Sequence, residues 1–101
     1  MTQETILHTI YRAIDEFNTL LPTSQHLAKS PHTPLFGGSQ AHLDSMGLVN
    51  FIILVEQYAE DTFGRAISLA DERAMAQRHN PFETTGALAD YIARILDEET
   101  A

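Results

Sequence analysis

Apolar residues recur at three- and four-residue intervals in three segments of the chain, and no segment shows the alternating pattern of a strand. The first segment covers residues 2–21, where Pro22 ends it, and the last covers residues 85–97. The predicted buried faces are Ile6, Ile10, Ile14, Phe17 and Leu21 in the first, and Leu88, Tyr91, Ile92, Ile95 and Leu96 in the last. This spacing places apolar side chains on one side of an α-helix, so the sequence predicts an all-α fold.

The central segment predicts the most apolar helix. It begins at Ser45, because Asp44 or Ser45 can cap the free N–H groups of a first turn. It ends at Gly64, since glycine adopts the left-handed conformation that closes many helices. Val49, Ile52, Ile53 and Tyr58 fall on one side of this helix, and Leu48, Phe51, Leu54 and Val55 widen its apolar surface almost all round. A helix that is apolar on most sides is central to the packing or presents an apolar patch to partners.

A long connection, residues 22–44, lies between the first two helices and has no helical periodicity. A connection of this length in a compact domain is functional or is ordered by its own side chains. Its candidate anchors are Leu27, Leu35 and Phe36.

A capping-box pattern at Ser68 predicts a short helix over residues 68–78, which Asn80-Pro81 stops. The prediction is therefore a single domain, 1–101, with three main helices and this short one. It is a small four-helix bundle with a long loop between the first and second helices.

Charge and cysteine content narrow the possible functions. Six Lys and Arg against fourteen Asp and Glu give a formal net charge of −8, and the chain has no cysteine. The negative field repels nucleic acid and anionic membranes and attracts basic protein surfaces, so no nucleic-acid or membrane partner is expected. Disulfides, thiolate metal sites and thiol catalysis are excluded. The polar start at Thr2 and the short apolar run of residues 51–55 favour a cytoplasmic protein, expected as a monomer.

The residues around Ser45 belong to an ordered set of motifs. The central helix opens with Leu43-Asp44-Ser45-Met46-Gly47-Leu48-Val49 and closes with Phe63-Gly64. Two further motifs follow it, Ile67-Ser68-Leu69-Ala70-Asp71-Glu72 and Thr84-Thr85-Gly86-Ala87-Leu88-Ala89-Asp90-Tyr91-Ile92. This set resembles the acyl carrier protein family, in which Asp-Ser-Leu precedes an apolar helix that ends in Phe-Gly. The resemblance is clearest over residues 35–95.

The resemblance implies a 4′-phosphopantetheine arm on Ser45, with Asp44 and Met46 as the flanking cofactor-binding residues. A phosphopantetheinyl transferase would donate the arm from coenzyme A. The chain would then carry acyl intermediates as thioesters between acyl-loading and acyl-processing enzymes of fatty-acid-like or polyketide biosynthesis. It would have no catalytic activity or metal site of its own.

The sequence departs from the family pattern in two places. Gly47 and Asn50 stand where the family commonly has acidic residues that dock basic partners, which indicates either dedicated partners or simple drift at solvated positions. The acidic residues come later, at Glu56, Glu60, Asp61, Asp71 and Glu72. The span from Ser45 to Phe63 is also about one turn longer, which preserves the buried face because a turn has 3.6 residues. Candidates for lining an acyl pocket are Val49, Ile53, Ile67, Leu69 and Met75.

Other functions remain open on the sequence. The chain could carry aminoacyl or peptidyl cargo on the same arm, or it could be a helical interaction module in which Ser45 is only a helix cap. A serine hydrolase is disfavoured, because Leu43 stands where the Gly-x-Ser-x-Gly motif needs its first glycine and no strand precedes it. The five histidines show no His-x-x-x-His spacing, and His42 is expected to be a solvated loop residue.

Overall fold

The fold is known from a computed structural model, which describes residues 3–37, 42–64, 66–69 and 80–100. The described helices are α1 (Gln3–Asn18), α2 (Ser45–Phe63) and α3 (Thr85–Thr100), with a 3-10 turn at Thr23–Gln25. The described residues form no strand, and their only sheet-like pairing is an isolated bridge between Pro34 and Thr84. The all-α prediction is therefore confirmed for this part of the chain.

The predicted fourth helix is not confirmed. Ser68, its expected first residue, and Leu69 have no regular secondary structure, although Leu69 is fully buried. The remainder of the expected helix, residues 70–78, lies outside the described residues. The described residues thus contain three helices and a 3-10 turn, and they do not confirm the predicted four-helix bundle.

Helix α1 ends at Asn18, three residues before its predicted end. The N–H groups of Thr19, Leu20 and Leu21 donate to carbonyls three residues earlier, at 3.0–3.1 Å, which is the tighter geometry of a 3-10 turn. The Asn18 carboxamide accepts from the Leu27 N–H at 2.8 Å and donates to the Leu27 carbonyl at 3.0 Å. Pro22 has no N–H to donate to the Asn18 carbonyl four residues earlier, which accounts for the end of α1 at Asn18, and the Asn18 side chain satisfies both backbone groups of Leu27.

Helix α2 begins and ends where the sequence predicts. Asp44 is the N-cap, with extended backbone, and its Oδ1 accepts from the Gly47 N–H at 2.7 Å. Gly64 closes the helix in the left-handed region, at φ 76°, and its N–H donates to the Glu60 carbonyl at 2.9 Å. Of the two proposed caps, Asp44 takes the role, which leaves Ser45 as the first helical residue.

The core lies where α1 packs on α2 and α3. The predicted buried faces of the first and last helices are confirmed, except that Leu21 is only half-buried. The Phe17 and Phe51 rings meet edge to face at 5.5 Å between centroids and join α1 to α2. The core of the described residues is therefore continuous across all three helices.

The apolar surface of α2 is divided between a buried and an exposed side. Its buried residues are Leu48, Phe51, Ile52, Val55 and Ala59. Among the four residues that the sequence groups on one side, Ile52 is buried, Tyr58 is half-buried, and Val49 and Ile53 are exposed. Apolar residues surround this helix, so periodicity alone does not decide which side meets α1.

The long connection is ordered by its anchors and by hydrogen bonds to the segment before α3. Leu27 and Leu35 are buried and Phe36 is half-buried, as predicted. The backbone N–H groups of Leu35 and Phe36 donate to the carbonyls of Glu83 and Phe82 at 2.8 and 3.0 Å. The Leu43 N–H donates to the Leu35 carbonyl at 2.9 Å, which fixes the chain just before α2.

Candidate functional site

The three predicted site residues lie together at the start of α2. Ser45 is exposed and is the first residue of the helix, and Asp44 and Met46 on either side are exposed as well. The Asp44 carboxylate accepts a hydrogen bond from the Gly47 N–H. It is held by that N–H and therefore does not cover the Ser45 hydroxyl. A group attached to Ser45 Oγ would displace no core side chain.

The electrostatics of this position favour an anion. The first N–H groups of a helix have no carbonyl one turn earlier to accept from them, and the helix dipole adds a partial positive charge there. In α2 the N–H groups of Gly47 and Leu48 are satisfied by the side chain and the carbonyl of Asp44, at 2.7 and 2.9 Å. A phosphodiester on Ser45 would lie beside the earlier N–H groups, an arrangement common for bound phosphate.

An exposed apolar stripe runs along α2 from the residue after Ser45. It consists of Met46, Val49 and Ile53, which are 75%, 54% and 46% exposed. Their three- and four-residue spacing puts them on one side of the helix. Asn50, next to the stripe, is exposed and uncharged. The sequence predicts that this helix is central to the packing or presents an apolar patch, but it does not indicate which residues form the patch.

The candidates for an acyl pocket are divided between two environments. Val49 and Ile53 belong to the exposed apolar stripe, whereas Ile67 and Leu69 are buried in the core. Met75 lies outside the described residues. The described residues therefore do not gather these candidates into one pocket.

A half-enclosed pocket of about 300 Å³ lies on the other side of the serine, between the end of α1, the 3-10 turn and the start of α2. We call it the α1–α2 pocket. Its lining residues are Phe17, Leu21, Gln25, His42, Leu43, Asp44 and Gly47. No pattern in the sequence indicates this pocket, because its walls come from three segments that only the folded chain brings together.

The acidic residues of α2 are partly engaged within the chain. Glu56 Oε2 accepts from the Leu69 N–H at 2.7 Å, and Asp61 pairs with Arg12 at 3.6 Å. Glu60 is exposed, and Asp71 and Glu72 lie outside the described residues. Glu56 therefore has a structural role in addition to its contribution to the negative field.

A second, open hollow of about 450 Å³ lies over a network that ties α1 to α2. The Arg12 guanidinium stacks on the Tyr58 ring at 4.6 Å, and the Tyr58 hydroxyl donates to Glu16 at 2.9 Å. The hydrogen bond to Glu16 raises the pKa of Tyr58 above its ordinary value. These exposed groups bond to one another, so the hollow is a contact between helices and not a candidate site.

Within the described residues, no group of three or more His, Asp or Glu side chains could hold a metal ion, and no helix is long and apolar enough to cross a membrane. Comparisons of the chain with models of protein families, with curated proteins and with solved structures found no match.

Proposed function

We propose that this protein is a carrier of acyl groups, held as thioesters on a 4′-phosphopantetheine arm attached to Ser45. The observation that carries the proposal is the position of Ser45, exposed as the first residue of a long apolar helix that Asp44 caps. The ordered set of motifs from Leu43 to Ile92 supports the same function by its resemblance to acyl carrier proteins. The proposal includes the four-helix bundle that the sequence predicts, with its short helix beginning after Leu69.

The physical requirements of such a carrier fit the described residues. The phosphate of the arm would lie at the positive end of the α2 dipole. A flexible arm raises the effective concentration of the cargo at each enzyme that docks the protein. The chain has no cysteine, so the thiol of the arm would be the only thiol on the molecule.

The proposed partners are a phosphopantetheinyl transferase and the acyl-loading and acyl-processing enzymes of a fatty-acid-like or polyketide pathway. In this proposal the carrier itself is a cytoplasmic monomer. The apolar stripe beside Ser45 is uncharged, with Gly47 and Asn50 in place of acidic residues. An uncharged surface favours partners that bury apolar area over partners that rely on basic side chains.

Intact mass measurement tests the proposal directly. The purified chain is incubated with coenzyme A and a phosphopantetheinyl transferase of broad specificity, beside a known carrier as a positive control. We expect the mass to rise by one phosphopantetheinyl group, and peptide mapping to place that group on Ser45. Ser45→Ala should stay unmodified, whereas Ser68→Ala, at another exposed serine, should load like the unaltered chain.

The apolar stripe also supports a second candidate function, a helical interaction module without an arm. This function is indicated if the chain gains no mass under conditions that load the control carrier. If the arm is attached, acyl-loading enzymes tested against adenylating enzymes separate acyl cargo from aminoacyl or peptidyl cargo.

A further inference from the structure

We infer that the α1–α2 pocket binds the first section of the arm, the pantoyl group next to the phosphate. The inference rests on the proposed function, since it needs the arm on Ser45. The pocket includes Asp44 and Gly47, which lie one residue before and two residues after the serine. The section of the arm next to the phosphate is therefore close enough to enter the pocket. The rest of the arm does not have to bend back towards the serine for this to happen.

Contacts within the chain hold part of the frame of the pocket. Phe17 is buried and packs edge to face on Phe51 of α2. The backbone of Leu43 is held by its hydrogen bond to Leu35, and the Gln25 N–H donates to the Pro22 carbonyl at 2.8 Å. A held backbone lowers the cost of binding, because less of the chain has to be ordered when the arm binds.

The lining of the pocket matches the chemistry of the pantoyl group. That group has a carbon with two methyl substituents, followed by a hydroxyl and an amide. Phe17, Leu21 and Leu43 offer apolar surface for the two methyl groups. The Gln25 carboxamide can both donate to and accept from the hydroxyl and the amide, and the His42 ring can do either.

The volume of the pocket limits what it holds. About 300 Å³ is at the lower end of the range for small-molecule pockets. The space suits one section of the arm and not the whole arm with its cargo. The thiol and the acyl group would thus stay outside the pocket, available to partner enzymes.

Gly47 keeps this side of the serine open. A Cβ atom at this position would lie 3.2 Å from Asp44 Oδ1 and 3.6 Å from Leu43 Cδ2, between two residues of the pocket. The glycine is retained inside a helix although alanine has the higher helix propensity. Its small size provides room for the Asp44 cap and for the arm together.

Nuclear Overhauser effects test the inference on the arm-bearing protein, with the protein ¹³C-labelled and the arm unlabelled. Intact mass first establishes that the arm is attached. We expect Overhauser effects between the two methyl groups of the arm and the Phe17 ring, and chemical-shift changes at Leu21 and Leu43 when the arm is added. A fully loaded protein without these effects overturns the inference and leaves the proposed function standing. A chain that cannot be loaded overturns both.

Two variants in the 3-10 turn provide a matched comparison. Gln25→Trp fills the pocket from its rim, whereas Ser24→Trp places the same side chain at the preceding exposed residue, which does not line the pocket. We expect both variants to load fully. The Overhauser effects from the arm methyl groups to Phe17 should disappear in Gln25→Trp and persist in Ser24→Trp. Their persistence in Gln25→Trp, or an equal decrease in both variants, contradicts the inference.

Discussion

Asp44 shows how one side chain determines the start of α2. Its Oδ1 accepts from the Gly47 N–H at 2.7 Å, so it satisfies one of the N–H groups that a helix start leaves free. Asp44→Ala removes this bond and is expected to lower the free energy of unfolding by about 1 kcal/mol, measured by urea denaturation. Asp44→Asn keeps a capping oxygen and should cost much less. Equal losses in the two variants would show that the cap is not responsible.

Thr85 presents the opposite situation, a buried hydroxyl without a partner. Its Oγ1 is the one buried side-chain polar atom within the described residues that makes no hydrogen bond. Thr85→Val removes an unsatisfied group at nearly constant volume, so we expect the free energy of unfolding to rise by about 1 kcal/mol. Differential scanning calorimetry would detect this as a higher Tm.

Thr33 is the matched control for Thr85. It is also buried, but its hydroxyl donates to the Ala28 carbonyl at 2.7 Å. Thr33→Val leaves that carbonyl without its donor and should lower the free energy of unfolding by about 1 kcal/mol. A shift of the same sign in both valine variants would contradict the assignment of Thr85 as unsatisfied.

At the scale of the elements, Glu56 links α2 to the segment that follows it. Its carboxylate accepts from the Leu69 N–H at 2.7 Å, and the Leu69 side chain is fully buried. Glu56→Ala leaves this N–H without an acceptor, and we expect a loss of about 1–3 kcal/mol in the free energy of unfolding. Glu60→Ala, at an exposed position of the same helix, should change it by less than about 0.5 kcal/mol. Urea denaturation compares the two, and similar losses would rule out a structural role for Glu56.

The sequence predicts the helices well where local rules determine them. Helix α2 runs from Ser45 to Phe63, as its Asp44 cap and its Gly64 terminator indicate. The buried residues of α1 and α3 follow from spacing, because each of these helices has one apolar face. Local signals are enough for these features, since capping and amphipathic spacing act within a few residues.

The remaining features depend on contacts between distant parts of the chain. The two hydrogen bonds between Asn18 and Leu27 join residues nine positions apart, and no local signal predicts them. The exposure of Val49 and Ile53 depends on which side of α2 meets α1. The position of Ser45 at a helix start follows from the sequence, whereas the apolar stripe and the α1–α2 pocket beside it require the folded chain.

For the whole molecule, the net charge of −8 predicts how stability responds to salt. Like charges repel one another in the compact state, and salt screens this repulsion with a Debye length of about 10 Å at 0.1 M. The exposed pairs Arg12–Asp61 and Lys29–Asp15 are screened too, but such pairs contribute only about 0.2–1 kcal/mol each. The excess of negative charge therefore dominates, and Tm is expected to rise with salt.

Thermal melting at pH 7 in increasing sodium chloride measures this response. Potassium chloride should give the same curve, because the effect depends on ionic strength and not on a particular cation. A Tm that falls with salt would mean that attractive pairs outweigh the net repulsion.

The hydrogen bonds between the long connection and the segment before α3 have a consequence for the order in which the chain folds. The Asn80 side chain donates to the Phe36 carbonyl at 2.8 Å, and these residues are 44 positions apart. A ribosome releases the chain from its amino terminus, so Leu35 and Phe36 emerge well before the carbonyls of Glu83 and Phe82 that accept from their N–H groups. During synthesis the long connection therefore cannot form these hydrogen bonds until residues 80–83 have emerged.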